Sequence, residues 1–103
     1  MGQRIAVAKI DQLAPNQQRA VRVQGQEFAL FNVEGTIYAL TNKCSHSRGP
    51  LAEGRLTGTT ITCPWHGAKF DVATGKCLAE PATIDVDAYP VHIQDGKIFI
   101  ELP

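Results

Sequence analysis

The chain has 103 residues, 44% hydrophobic and 19% charged, and its ten Lys+Arg balance ten Asp+Glu. This is the composition of one small globular domain, neither a disordered chain nor a multidomain enzyme. The zero net charge argues against a basic nucleic-acid binder. No apolar run approaches the roughly 20 residues of a membrane span. Met1-Gly2-Gln3-Arg4-Ile5 lacks a signal peptide's apolar stretch, so a cytoplasmic protein is expected. Its cysteines are Cys44, Cys63 and Cys77, and an odd count in a reducing compartment argues against a disulfide framework. A core of this size buries only about 65% of the unfolded surface, so a metal site is a candidate for added stability.

In chain order, Arg4 to Ile10 alternates, with Ile5, Val7 and Lys9 on one face and Ala6, Ala8 and Ile10 on the other. Asp11 to Gln17, with Pro15 and Asn16, reads as a loop. Arg19 to Val23 reads as a half-buried strand. Gln24-Gly25-Gln26 turns into a strand from Glu27 to Val33, and Glu34-Gly35 turns into another from Thr36 to Leu40. Near the end, Tyr89 to Ile93 and Lys97 to Glu101 flank Gln94-Asp95-Gly96, and Asp-Gly between β-rich runs signals a hairpin. No segment holds a helical period, so the expected class is all-β, an antiparallel sandwich or small barrel.

Residues 42–81 differ from the rest. They are rich in Gly, Pro, Thr, Cys and His, with short β-like runs at Thr59–Thr62 and Lys69–Asp71. The expected organisation is a single domain, 1–103, with this loop-rich insertion on a β base formed by 1–41 and 82–103. Loops on a β scaffold commonly carry function.

The insertion holds two loops with matching donors, Cys44-Ser45-His46-Ser47-Arg48-Gly49-Pro50 and Cys63-Pro64-Trp65-His66-Gly67, with 16 residues between His46 and Cys63. A Cys₂His₂ zinc site usually takes a like pair from each element, whereas each loop here is mixed. Mixed loops suit a two-metal object in which cysteines hold one ion and histidines the other, such as a [2Fe–2S] cluster with two Cys on one iron and two His on the other.

Cys44-x-His46, sixteen residues, then Cys63-x-x-His66-Gly67 resembles the signature of Rieske [2Fe–2S] proteins. The resemblance implies a Rieske-like β-sandwich with a cluster-binding subdomain, one [2Fe–2S] cluster per chain, and Cys44, His46, Cys63 and His66 as its ligands. Neutral imidazoles in place of two thiolates make reduction easier, so Rieske potentials span roughly −150 to +300 mV.

High-potential respiratory members carry an extra disulfide-forming cysteine in each loop, where this chain has Gly49 or its neighbours and Trp65. They also carry a serine and a tyrosine donating to the cluster, where this chain has Ala68 and Phe70. Fewer donors stabilise the reduced state less, so a potential near roughly −150 mV is expected.

The resemblance extends to the small Rieske ferredoxins of bacterial multicomponent oxygenases. It implies an electron carrier, not itself an enzyme, between a flavin-dependent NAD(P)H reductase and a terminal oxygenase, docking transiently near His46 and His66 as a monomer. Exposed imidazole ligands would make the potential fall with pH in the alkaline range, because reduction favours holding the proton. The small Rieske-like subunit of a reductase such as nitrite reductase, or a structural zinc module, are the alternatives.

Other residues carry blander expectations. Cys77 reads as a buried thiol, and His92 as a solvent-facing strand residue. Trp65 either packs beside the cluster or forms partner surface. Pro64, Gly67 and Gly49-Pro50 shape the loops, and Pro81 adds a third covering loop by family likeness. Lys43, Arg48, Lys69, Glu53, Asp71 and Glu80 form a mixed rim suited to a weak, fast complex.

Overall fold

The structure is a computed structural model and describes residues 2–43, 49–65, 67–79 and 84–102. Its strands are β1 (Gln3–Lys9), β2 (Gln18–Val23), β3 (Gln26–Val33), β4 (Thr36–Thr41), β5 (Arg55–Thr57), β6 (Thr60–Thr62), β7 (Lys69–Asp71), β8 (Cys77–Ala79), β9 (Ala88–Tyr89), β10 (Val91–Gln94) and β11 (Lys97–Leu102). They form three antiparallel sheets, ordered β1-β11-β10, β2-β3-β4-β9 and β5-β6-β7-β8. Two short 3₁₀ turns, Ile10–Gln12 and Leu51–Glu53, are the helical elements among the described residues, and no helix there is long and apolar enough to cross a membrane. The expected all-β class is therefore observed.

The layering follows from β3, where Phe28 through Asn32 are all buried. Successive strand residues point to opposite faces, so a strand buried throughout must be covered on both. Phe28 and Leu30 join Ile37, Ala39, Ile98, Ile100 and Leu13 in one core. Ala29 and Phe31 join Leu40, Leu51, Ile61, Cys63, Ala68, Phe70 and Val72 in the other. The middle sheet thus lies between the β1-β11-β10 sheet and the β5–β8 sheet. Each fully buried Phe, Leu or Ile contributes roughly 1.5–3 kcal/mol.

Turn chemistry sets the registers. Glu34-Gly35 and Asp95-Gly96 take positive φ at both residues (52° and 98°; 52° and 73°), the twist-matched form of a two-residue hairpin. Buried Asn32 locks the first of these, since its Oδ1 accepts from Gly35 N–H (2.7 Å) and its Nδ2 donates to Leu13 C=O (2.8 Å).

Three details depart from the sequence reading. The strict alternation of Arg4 to Ile10 breaks at a bulge between Ala6 and Ala8, so Val7 and Ala8 are both half-buried, and Ile10 begins a 3₁₀ turn. Pro90 divides Tyr89 to Ile93, because it cannot donate to a ladder. β9 accordingly pairs with β4, and β10 with β11. β5 and β8, three residues each, are too short to show a period in sequence.

Candidate metal centre

The second loop is a hairpin. β6 and β7 pair with Thr62 opposite Lys69, and Cys63 N–H donates to Ala68 C=O (2.7 Å), closing residues 63–68 at their base. Gly67 takes φ +76° on the way back, the conformation expected of it. This closure carries Cys63 into the second core at 2% exposure, while Pro64 and Trp65 stay on the surface. Ala68 and Phe70 are fully buried behind it.

The first loop is closed differently. An antiparallel bridge joins Lys43 to Pro50 at its base. One residue earlier, buried Asn42 receives Leu51 N–H on its carbonyl (3.0 Å) and Ala52 N–H on its Oδ1 (2.8 Å), and its own N–H donates to Glu27 C=O on β3 (3.1 Å). Leu51 and Ala52 are buried, so the chain leaving the loop is seated in the second core.

Gly49 brings the two loops together. A Cβ added there would stand 3.0 Å from Cys63 Sγ and 3.0 Å from Cγ and Cδ2 of Trp65. Glycine lets the backbone pass this close without pressing on the thiol or the indole. Trp65 therefore leans on the first loop through part of its ring while remaining 51% exposed.

Of the residues expected to hold metal, Cys63 lies within the described structure, and Cys44, His46 and His66 lie outside it. Their described neighbours are Lys43 and Gly49 on one loop and Trp65 and Gly67 on the other. A buried thiol facing the side-chain-free backbone of Gly49, in a chain that also carries Cys44, His46 and His66, fits a thiolate- and imidazole-bound cluster.

Arg48, Glu80 and Pro81 also lie outside the described residues, so the third covering loop has no structural account. Beyond it, Val86 N–H donates to Gly75 C=O (2.9 Å), tying the returning chain to the turn after β7. Lys43, Glu53 and Lys69 of the expected rim are exposed, and Asp71 is half-buried.

Two expectations are revised. Cys77 is half-buried rather than buried, paired across from Phe70, with its N–H donating to Asp85 Oδ1 (2.7 Å). His92 is half-buried as well, because its Nε2 turns toward Glu101 Oε1 (3.3 Å) on the neighbouring strand. The sequence reading missed Asn42. The available signal was a polar residue closing the β4 run immediately before the ligand segment.

The chain matches the family model for the Rieske [2Fe–2S] domain over residues 3–90. It is 40% identical over 98 residues to the ferredoxin component of naphthalene 1,2-dioxygenase/salicylate 5-hydroxylase systems of Ralstonia sp, covering 95% of this chain and 94% of that one. Its structure resembles the ferredoxin of carbazole 1,9a-dioxygenase from Nocardioides aromaticivorans IC177, with a TM-score of 0.90 and 34% identity over 94% of this chain and 95% of that one. It also resembles a chain in the complex of reduced oxygenase and oxidized ferredoxin in carbazole 1,9a-dioxygenase, with a TM-score of 0.88 and 31% identity over 94% of this chain and 91% of the matched chain.

Proposed function

This chain belongs to the Rieske [2Fe–2S] domain family, and from that membership we propose that it is the one-electron carrier of an oxygenase system, taking electrons from an NAD(P)H-dependent flavin reductase and delivering them to a terminal oxygenase. Cys44 and Cys63 hold one iron of a single cluster, and His46 and His66 hold the other. When bound, such a cluster supplies a reversible one-electron couple.

The observation that supports this reading is the approach of Gly49, five residues after Cys44, to the buried Cys63 thiol. Cys63, seated among Ala68, Phe70 and Leu51, would offer the metal a buried thiolate. The imidazole ligands, His46 and His66, with exposed Trp65 between Cys63 and His66 in the chain, are the proposed docking face. Ala68 and Phe70 themselves offer no hydroxyl donor, and this supports a potential at the low end of the family, roughly −150 mV. The insertion 42–81 is the cluster-binding part, and 1–41 with 82–103 is its base. A cytoplasmic monomer suits a carrier that docks by its tip.

Anaerobic purification followed by iron, sulfide and zinc analysis, with visible and electron paramagnetic resonance spectra, tests the reading. The expected result is iron and sulfide in equal amount, a brown protein and a paramagnetic signal on reduction. Zinc in a colourless protein would overturn it. Terminal-oxygenase turnover that requires this protein and the reductase, with none from this protein alone, is the expected functional result.

A further inference from the structure

We propose that Asn42 is the positioning residue of the first cluster-binding loop, holding its described ends, Lys43 and Gly49-Pro50, beside the buried thiol of Cys63. The inference rests on the ligand assignment above. Asn42 is 4% exposed and lies two residues before Cys44. Three hydrogen bonds converge on it: Ala52 N–H to its Oδ1 (2.8 Å), Leu51 N–H to its carbonyl (3.0 Å), and its own N–H to Glu27 C=O (3.1 Å). The chain entering the loop, the chain leaving it and strand β3 therefore meet at one residue, whose backbone makes two of these bonds and whose Oδ1 makes the third.

The second loop is closed by backbone pairing. Its base is closed by the β6–β7 ladder and the Cys63–Ala68 backbone bond. The ends of the first loop belong to different elements, β4 and the Leu51–Glu53 turn, and among the described residues a short antiparallel contact, the Lys43–Pro50 bridge and the Leu51–Asn42 backbone bond, ties them. Without Oδ1, the Ala52 N–H is left buried and unpartnered at the loop exit. Gly49, three residues before Ala52, then loses its fixed distance from Cys63 Sγ.

The test uses the cluster-loaded protein and its N42A and N42D variants, with three readouts: iron release to a chelator, midpoint potential and paramagnetic line shape. N42A is expected to release iron about fivefold faster or more, the scale set by an unsatisfied buried donor. Its potential is expected to rise, because water admitted beside the cluster stabilises the more negative reduced state. N42D keeps the acceptor for Ala52 N–H, so its iron release is expected to stay near wild type. Its added negative charge is expected to lower the potential, opposite in sign to N42A.

Should N42A not be recovered folded, Asn42→Ser, whose hydroxyl is too short to reach Ala52, is read in its place. Asn32→Ala is the control. It also breaks a buried asparagine's backbone bonds, but at the opposite end of β3, and is expected to leave iron release and potential unchanged. If N42A matches wild type in release and potential, or N32A changes both equally, the proposal is overturned while the ligand assignment stands. If the wild-type protein binds no iron, the ligand assignment fails and takes the proposal with it.

Discussion

The two loops that carry the candidate ligands are built on different principles. Thr62 pairs with Lys69 and Cys63 N–H donates to Ala68 C=O, so backbone pairing places Cys63. Residues 43–50 join elements that are not hairpin partners, and they are held by buried Asn42, the Lys43–Pro50 bridge and the seating of Leu51 and Ala52 in the core. Backbone ladders tolerate almost any side chain. The first loop adds to its backbone bonds one that depends on residue type, Ala52 N–H to Asn42 Oδ1.

The largest effect expected is that of Cys63→Ser. It breaks the ladder-built loop at its buried sulfur, and the expected outcome is a folded protein with little or no bound iron, measured by iron content and visible absorbance. Next is Gly54→Ala, at the exit of the clamped segment. A Cβ there would stand 2.1 Å from the Thr62 carbonyl oxygen, a clash with backbone that cannot swing aside. The expected loss is about 2–4 kcal/mol, read as a lower thermal midpoint of the cluster-loaded protein.

Gly49→Ala presses on Cys63 Sγ and the Trp65 ring at 3.0 Å. Half-exposed Trp65 is able to give way, so the expected cost is smaller, about 1 kcal/mol, together with an altered cluster spectrum. A spectrum identical to wild type would show that the loops do not depend on this approach. The smallest effect is that of Ala68→Ser and Phe70→Tyr. Each restores a hydroxyl behind Cys63, and each is expected to raise the midpoint potential with little change in stability. A fall would show that the missing donors are not what keeps the potential low.

Much of the fold was legible from local pattern. Asp95-Gly96 and Glu34-Gly35 announced their hairpins, because Gly readily supplies the positive φ such turns require. The runs from Glu27 to Val33 and Thr36 to Leu40 lie within strands observed at Gln26–Val33 and Thr36–Thr41. The paired Cys-x-His and Cys-x-x-His segments were legible as chemistry, since thiol and imidazole are uncommon and their spacing is short. Pro90 was visible too, but its effect was not. Whether a residue without an N–H ends a strand or moves it to another sheet depends on which neighbour needs that donor.

The burial of β3 on both faces was hidden for a related reason. Phe28-Ala29-Leu30-Phe31 is as compatible with a sandwich edge as with a middle layer until β6 and β11 are packed against it. His92 likewise read as a surface residue because Glu101, its partner, lies nine residues away on another strand.

By itself, then, the sequence determined the strand-and-turn class, the donor set and the absence of hydroxyls at Ala68 and Phe70, because these are properties of neighbouring residues or of single side chains. Only the tertiary structure decided that Gly49 passes against Cys63 and that Asn42 gathers Glu27, Leu51 and Ala52. Those partners lie up to 15 residues apart in the chain, and they meet only where sheet register and core packing bring their backbones within hydrogen-bond reach.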